Sequence, residues 1–238
     1  MIGPQVDKVQ TQLVVGANSN PYHTIADFNS YWKCDDAAGA NFADAGANGN
    51  ILTQVNAPGS TTGIIGNART FVAASSQTGS RASNTSLQRD KNWTLAFWAY
   101  HTAVPGWQIY ASKDNSVAFR EFLVALNPSG KVELQCGPIG TTVCSTASSP
   151  AATTWFHVTA TWNNTSKVGK IFINGSQDAS GTSVGAAIAA TAAAWTLGAY
   201  GSPASLFLNG RLDDVVLWDR VLTDAEILLN ASRTTPLV

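Results

Sequence analysis

"NGRLDDVVLWDRVLTDAEI", residues 209–227, contains a strand pattern followed by a helix start signal. Successive side chains of a β-strand point to opposite faces of the sheet. This rule places Asp213, Val215 and Leu217 on one face, and Leu212, Asp214, Val216 and Trp218 on the other. Both faces therefore carry apolar side chains.

The helix signal follows directly after the strand. Thr223 stands at the N-cap with Glu226 three residues later, which is a capping box, and Asp224 favours the positive end of the helix dipole. We predict a short helix near residues 224–230. Asp224 and Glu226 thus have structural roles, whereas Asp213, Asp214 and Asp219 are not explained by the local pattern.

Further strand signals occur at close spacing through most of the chain. They cover residues 93–100, 122–126, 131–135, 155–162, 170–174, 194–200 and 205–210. Asn174-Gly175 is a dipeptide that accepts positive φ in a tight turn, and the Ala/Thr-rich residues 180–194 are interpreted as a long surface connection. Short strands without intervening helices predict an all-β antiparallel sandwich or barrel.

The first 28 residues lack a sustained period and are interpreted as an N-terminal arm, with one domain over residues 29–238. The arm contains apolar side chains, among them Leu13 and Val14, which are unusual in a solvated tail. We expect it to mediate assembly, either on the face of Val216 and Trp218 or on a neighbouring subunit. The protein would then be an oligomer or part of a larger assembly.

Charge and composition exclude several kinds of partner. Only 12% of the 238 residues are charged, the net charge is −1, and no Lys/Arg cluster occurs, so the sequence favours neither nucleic acid nor membrane as a partner. The N-terminus lacks the pattern of a secretory signal, and no apolar stretch approaches the ~20 residues of a membrane span. The location of the protein stays unknown.

Three cysteines, Cys34, Cys136 and Cys144, form no CxxC pair. Any disulfide leaves one thiol over. Buried, reduced thiols are favoured, and a Cys136–Cys144 bridge is the alternative.

Six motifs in a consistent order carry a family resemblance. They are "YWKCDDAAGANFADAGANGN" (31–50), "GNARTF" (66–71), "WTLAFWAY" (93–100), "WFHVTATWNN" (155–164), "IFINGS" (171–176) and "GRLDDVVLWDRVLTDAEI" (210–227). Together they resemble the laminin-G-like members of the concanavalin A-like lectin/glucanase superfamily over roughly residues 31–230. The resemblance implies a jelly roll of two curved antiparallel sheets. The closing strand of the family usually presents polar or charged side chains outward, whereas this chain has Val216 and Trp218 there, so we expect that face to be covered.

Catalytic patterns are weak in this chain. Hydrolysis of a glycosidic bond needs two carboxylates ~5–9 Å apart, but Glu121, Glu133 and Glu226 have no acidic partner at a suitable spacing. No nucleophile elbow, zinc spacing or phosphate loop is present, and His157 lies inside a strand and is interpreted as structural. We therefore expect no enzymatic activity.

The resemblance also implies a possible Ca²⁺ site, since the family often carries a calcium ion at its rim. The corresponding residues are Asp44 and Asp213, with Asn48 or Asn50 and backbone carbonyls completing the six to eight oxygens that Ca²⁺ prefers. The alternative is that Asp44 forms an Asx-turn and Asp213 accepts hydrogen bonds from nearby backbone N–H groups.

Aromatic side chains are the usual platforms for sugar rings. Seven of the eight tryptophans fall in strand patterns and are assigned to the core: Trp32, Trp93, Trp98, Trp155, Trp162, Trp195 and Trp218. Trp107 and Tyr200 border turns instead. These two residues are the predicted glycan contacts.

Fold alone does not determine function, and two hypotheses follow. The first is a non-catalytic jelly-roll protein of a particle surface, such as a phage or virion decoration or tail component, that binds glycans through its loops. The alternative is a free-standing or secreted lectin-like carbohydrate-binding module. The absence of a recognisable export signal favours the first, and a glycoside hydrolase is disfavoured by the missing carboxylate pair.

Overall fold

A computed structural model describes residues 25–114, 119–138, 141–201 and 204–237. Two antiparallel sheets face each other, and one short helix follows the last strand. The predictions of an antiparallel two-sheet sandwich and of a C-terminal helix are confirmed. Leu13 and Val14, predicted to act in assembly, lie outside the described residues.

The first sheet has eight strands and contains most of the motifs quoted above. Its strands are β1 (Ser30–Trp32), β3 (Gly59–Thr62), β4 (Asn67–Phe71), β6 (Trp93–His101), β11 (Phe156–Asn163), β12 (Val168–Ile173), β13 (Ser176–Thr182) and β15 (Gly210–Trp218). Their order is β13-β12-β11-β6-β15-β4-β3, and β1 also pairs with β15. The turn between β12 and β13 has Asn174 and Gly175 at positive φ, as predicted.

The second sheet has seven strands. They are β2 (Thr53–Val55), β5 (Thr78–Arg81), β7 (Gln108–Asp114), β8 (Phe119–Leu126), β9 (Val132–Pro138), β10 (Thr142–Ser145) and β14 (Trp195–Leu197), in the order β10-β9-β8-β7-β14-β5-β2. The prediction of a strand over 205–210 is wrong for most of that segment. Leu206 has a φ of +50°, which breaks an extended strand.

The main core lies between the two sheets and is rich in aromatic side chains. Trp32 stacks on Trp195 with ring centroids 5.5 Å apart, and Phe122 packs between Trp195 and Trp93. Aromatic pairs of this kind contribute more than their buried area alone. Trp98 and Trp155, which the sequence assigned to the core, are instead half-buried on the outer face of the first sheet.

Strand β15 contains a β-bulge that changes which side chains face the core. Asp214 has a φ of +55°, and the pairing with β6 shifts between Asp213 and Val216. Leu212 consequently packs in the main core together with Val215 and Leu217. The sequence placed Leu212 on the opposite face because strict alternation does not account for the extra residue of a bulge.

The outer face of the first sheet is covered by the chain itself. Helix α1 (Asp224–Ala231), the start of the described chain and the C-terminal segment pack there. We call the buried apolar residues at this place the outer cluster: Ile25, Tyr31, Ala96, Phe172, Val216, Trp218, Leu222, Ile227 and Leu237. The indole Nε1 of Trp218 donates a hydrogen bond of 2.9 Å to the carbonyl oxygen of Ile25.

The expectation that the face of Val216 and Trp218 is covered is confirmed, with Ile25 and Phe28 among the covering residues. Two other expectations are corrected. Val216 and Trp218 have no exposed surface within a single chain, so these side chains cannot contact a neighbouring subunit. Ile25 and Phe28 pack in or against the outer cluster, so the boundary drawn after residue 28 lies inside a packed segment. The C-terminal part of the predicted arm therefore belongs to the domain.

Two further predictions concern buried groups. Cys34, Cys136 and Cys144 are buried free thiols, in agreement with the favoured reduced state.

Residues 176–182 of the segment after the Asn-Gly turn form β13, and Ile188 and Ala193 are buried, so the connection assigned to 180–194 is partly packed. Within the described part of the chain, no helix is long and apolar enough to span a membrane.

Candidate functional site

The outer face of the second sheet carries one continuous row of side chains. Residues that pair across neighbouring strands form it, in the order Gln135, Leu123, Ser112, Thr196, Ser80 and Thr53. The neighbours of these residues along β8, β9 and β14, such as Phe122, Leu134 and Trp195, point into the main core. The row therefore faces away from the core, as alternation requires.

The segment that follows β14 crosses this face over β7. Ser112 Oγ donates to the carbonyl oxygen of Ala199 at 2.9 Å and accepts from the backbone N–H of Gly201 at 3.2 Å. Farther along, the N–H of Ile109 donates to the carbonyl oxygen of Leu206. The crossing segment thereby separates the face into two depressions.

The depression over β7, β8 and β9 contains both predicted glycan contacts. Its volume is about 280 Å³, and it is lined by Trp107, Ile109, Arg120, Leu123, Gln135, Tyr200 and Leu206. Trp107 and Tyr200 are half-buried and pack against a small apolar base of Ile109, Leu123 and Ala125. We call this site the aromatic depression.

A polar network frames the aromatic depression. Arg120 Nε lies 2.9 Å from Asp114 Oδ2, Nη1 donates to Gln135 Oε1, and Nη2 donates to the Tyr200 hydroxyl at 3.3 Å. The guanidinium carbon also lies 5.6 Å from the centroid of the Tyr200 ring. Arg120 therefore fixes the orientation of the aromatic ring and of the amide beside it.

The network continues along β9. Glu133 Oε1 accepts hydrogen bonds from Gln135 Nε2 at 2.5 Å and from Thr142 Oγ1 at 2.6 Å, and its other oxygen accepts from Asn127 Nδ2 at 3.1 Å. Such an array of oriented amides and hydroxyls beside aromatic rings is typical of small-molecule sites.

The second depression lies over β2, β5 and β14 and has a different lining. Its volume is about 450 Å³, and the hydroxyl-bearing residues Ser76, Thr78, Ser80 and Thr196 line it together with Asn56 and Phe207. We call it the hydroxyl depression. It lies on the same face and shares the crossing segment with the aromatic depression.

Arg120 and Gln135 were not recognised from the sequence, although a signal for one of them was present. In residues 131–135, predicted as one arm of a hairpin, Glu133 and Gln135 alternate with apolar residues and hence share a face. The face of Arg120 was hidden because the pairing of β8 with β9 shifts between Arg120 and Leu123.

The acidic residues of β15 and the segment after it have structural partners. Asp214, at the bulge, accepts hydrogen bonds from the Tyr31 hydroxyl and from the Arg233 guanidinium, and all three side chains are buried. Asp219 binds Arg89 at 2.7 Å and Lys91 at 3.3 Å. None of these contacts involves either depression.

Asp213 is held by a different turn. Its Oδ2 accepts from the backbone N–H groups of Ile64 at 2.7 Å and Ile65 at 2.9 Å, while its buried Oδ1 has no hydrogen-bond partner. Burial raises the pKa of Asp213 to about 7. Helix α1 begins as predicted, with Thr223 and Glu226 forming the capping box.

Asp44 is surrounded by backbone donors. It accepts from the N–H groups of Tyr31 and Gly46 at 2.8 Å and of Asn50 at 2.7 Å. The Asn50 side chain bonds to Ser30, Asn84 and Ser86. These are the bonds of the alternative interpretation, in which Asp44 forms an Asx-turn.

The four predicted calcium ligands therefore do not form one ligand set in this arrangement. Asn48 donates its amide to the carbonyl oxygen of Asn29, next to the Asp44 turn, whereas Asp213 binds the turn between β3 and β4. Among the described residues, no group of three or more His, Cys, Asp or Glu side chains is arranged to hold a metal ion. Calcium binding stays a prediction.

His157 is enclosed between the first sheet and helix α1. It lies edge-on to Trp98, and its Nε2 is 3.2 Å from the Asn230 amide nitrogen. Burial, together with the nearby Arg233, lowers the pKa of His157 to about 3. A fully buried neutral imidazole with these contacts supports the structural role that the sequence suggested.

The family model of the concanavalin A-like lectin/glucanases superfamily, Laminin_G_3, matches residues 74–228, which is more than half of the chain. The chain belongs to this superfamily. Membership confirms the laminin-G-like resemblance of the motifs. No curated protein matches the sequence at a significant level.

Solved structures share this superfamily fold at low sequence identity. Domain 4 of AbnA, an extracellular arabinanase from Geobacillus stearothermophilus, in complex with arabinotriose, is 13% identical with a TM-score of 0.68; the match covers 87% of this chain and 98% of that chain. A Trypanosoma rangeli sialidase in complex with 2,3-difluoro-KDN is 15% identical with a TM-score of 0.66, and the match covers 87% of this chain and 32% of the sialidase.

A third similar structure is the binding domain of botulinum neurotoxin DC in complex with SialylT. It is 11% identical with a TM-score of 0.57, and the match covers 84% of this chain and 52% of that chain. The laminin-G-like chain thus spans about a third of the sialidase and about half of the toxin domain. At these identities, the similarity establishes the fold alone.

Proposed function

We propose that this protein is a non-catalytic carbohydrate-binding module whose ligand sits in the aromatic depression. The observation that carries the proposal is the meeting of Trp107 and Tyr200 in one depression beside the oriented side chains of Arg120 and Gln135. Sugars combine apolar ring faces with hydroxyl groups. Aromatic rings and fixed amide groups match both features.

The similar structures support a carbohydrate as the ligand class. The arabinanase domain, which this chain covers almost completely, binds arabinotriose, and the toxin binding domain binds SialylT. In this chain, the aromatic depression likewise supplies aromatic rings and fixed amide groups, which match the ring faces and hydroxyl groups of a saccharide.

The proposal of a non-catalytic role rests on the positions of the carboxylates relative to the depressions. Among the described residues, neither depression is lined by Asp or Glu, so no pair is arranged there to flank a glycosidic bond. A third depression, lined by Asp35, Asp36 and Asp44, does contain acids, but each of them accepts backbone N–H groups. These acids serve the local turns.

Display on a phage or virion surface stays a prediction about where the module acts, and a secreted lectin-like module is the alternative. An open face that binds glycans serves either context. Immunogold labelling of purified particles with an antibody against the domain distinguishes the two.

Binding to a glycan array, followed by calorimetry on the best ligand, tests the proposed function. Trp107→Ala and Tyr200→Ala should each weaken binding by about tenfold or more, which corresponds to about 1.4 kcal/mol. Trp155→Ala is the matched control, because Trp155 is a half-buried tryptophan beside the other sheet, packed against Tyr100 with a tilted ring geometry. Equal losses in all three variants, or sustained release of reducing sugar by the wild type, would contradict the proposal.

A further inference from the structure

Arg120 is the one cationic side chain that lines the aromatic depression in the described part of the chain, and its charge is already matched. Its side chain is 4% exposed, and that of its ion-pair partner Asp114 is fully buried. The two terminal nitrogens of the guanidinium bind Gln135 and the Tyr200 hydroxyl. The cation is therefore committed to the protein rather than offered to a ligand.

A second carboxylate tips the local charge to negative. Glu133 is 6% exposed and accepts a hydrogen bond from the same Gln135 amide that Arg120 contacts. Counting +1 for Arg120, −1 for Asp114 and −1 for Glu133 gives −1 for the network. A ligand in the depression is thus placed beside a small net negative charge.

Three short stretches adjoin these residues in the sequence. Residues 115–118 read Asn-Ser-Val-Ala, residues 139–140 read Ile-Gly, and residues 202–203 read Ser-Pro. None of these residues is ionisable, so these stretches add no positive charge.

A carboxylate on a sugar has to lose water when it enters such a site, and that loss is favourable only with a cation or several donors as compensation. The desolvation cost of neutral hydroxyl groups is much smaller, and hydrogen bonds to amide and hydroxyl groups offset it. We propose that the aromatic depression selects uncharged glycans over glycans that carry sialic or uronic acid at the same position. This inference rests on the proposed function, and it distinguishes this chain from the toxin binding domain, whose structure is in complex with SialylT.

The test uses immobilised oligosaccharide pairs that differ only in the presence of a terminal sialic acid, or in a uronic acid replacing the parent hexose. For pairs in which either member binds, the uncharged member should bind about tenfold more tightly or better, because like charges in a partly buried site are poorly screened. Glu133→Gln and Asp114→Asn should each reduce this preference several-fold, since each removes one negative charge from the network.

The control is Asp90→Asn, which makes the same change in net charge at an exposed residue outside the depression. It should leave the preference unchanged. Equal or tighter binding of the acidic members by the wild type would overturn the charge selectivity while leaving glycan binding intact. Binding of no member of any pair would overturn the proposed function and this inference together. Glu133→Gln keeps the test decisive if Asp114→Asn does not fold.

Discussion

The outer face of the first sheet is covered by other parts of the chain, whereas the outer face of the second sheet carries open depressions. On the first sheet, helix α1 and residues near both ends of the described chain bury the outer cluster, including all of Trp218. On the second sheet, Trp107 and Tyr200 stay half-exposed around a depression. Partial exposure of an aromatic ring therefore does not by itself mark a site, since Trp98 and Trp155 at the first sheet are also half-buried; on the second sheet, two such rings meet in one depression.

The largest expected effect comes from the covered face. Trp218→Ala removes a fully buried indole and its hydrogen bond to Ile25. We expect a loss of about 3–5 kcal/mol in the free energy of unfolding, as for other buried tryptophans. Urea denaturation followed by fluorescence measures it, and a loss below 1 kcal/mol would show that the outer cluster is not part of the cooperative core.

Arg233→Leu should cost nearly as much. It leaves the buried carboxylate of Asp214 without its ion-pair partner, a change that typically costs about 3–5 kcal/mol. The double variant Arg233→Leu/Asp214→Asn removes the uncompensated charge and should recover much of the loss. If the double variant is as unstable as the single one, packing rather than charge holds the C-terminal segment to the sheet.

Asp213 should make stability depend on pH. Its pKa rises from 3.8 to about 7 because the side chain is buried, so folding takes up a proton between these values. The free energy of unfolding should therefore fall by a few kcal/mol as pH rises from about 4 to 7, at about 1.4 kcal/mol per pKa unit. Asp213→Asn should flatten this slope in urea denaturation at pH 5 and pH 8. Parallel slopes in both proteins would contradict the assignment to Asp213.

Trp107→Ala should have a small effect on stability, in contrast to Trp218→Ala. The residue is half-buried on the open face, so we expect a change of about 1 kcal/mol or less in the free energy of unfolding. The same denaturation experiment measures it. A loss as large as that of Trp218→Ala would remove the distinction between the two faces.

The predicted calcium site at Asp44 and Asp213 is tested by its effect on stability, since each carboxylate already accepts backbone hydrogen bonds. If the predicted site exists, the melting temperature should rise with calcium concentration and fall with EDTA. Asp44→Ala should abolish the response. An unchanged melting temperature would indicate that Asp44 has only the structural role of accepting backbone hydrogen bonds.

The elements with strong periodicity were predicted from the sequence. The elements whose geometry depends on residues distant in the sequence were not. The strand at Trp93 and the capping box of helix α1 are local patterns, and both are confirmed. Strand β7 was missed because its pairing with β8 shifts twice, and the polar strand β3, Gly59–Thr62, has no apolar alternation. Local patterns do not contain these irregularities.

The same limit applies to the site. Trp107 and Tyr200 were selected because they border turns, but their meeting depends on the segment that crosses β7. The bulge at Asp214 could not be read from "LDDVVLW", because Asp213 and Asp214 are held by residues far away in the sequence, near Ile64 and at Arg233. The sequence therefore predicted the two proposed ligand contacts individually. It did not predict that Arg120 and Gln135 lie beside them.

The central place of β15 has a consequence for how the chain folds. This last strand pairs with β6 on one side and, on the other, with β4 at Gly210–Leu212 and with β1 at Val215–Leu217. Until residue 218 has been synthesised, the first sheet lacks its middle, and β4 and β6 present unpaired edges. Closing such long loops makes folding slow, and open strand edges promote aggregation. We therefore expect the first sheet to assemble late, with chains interrupted before β15 unable to complete it.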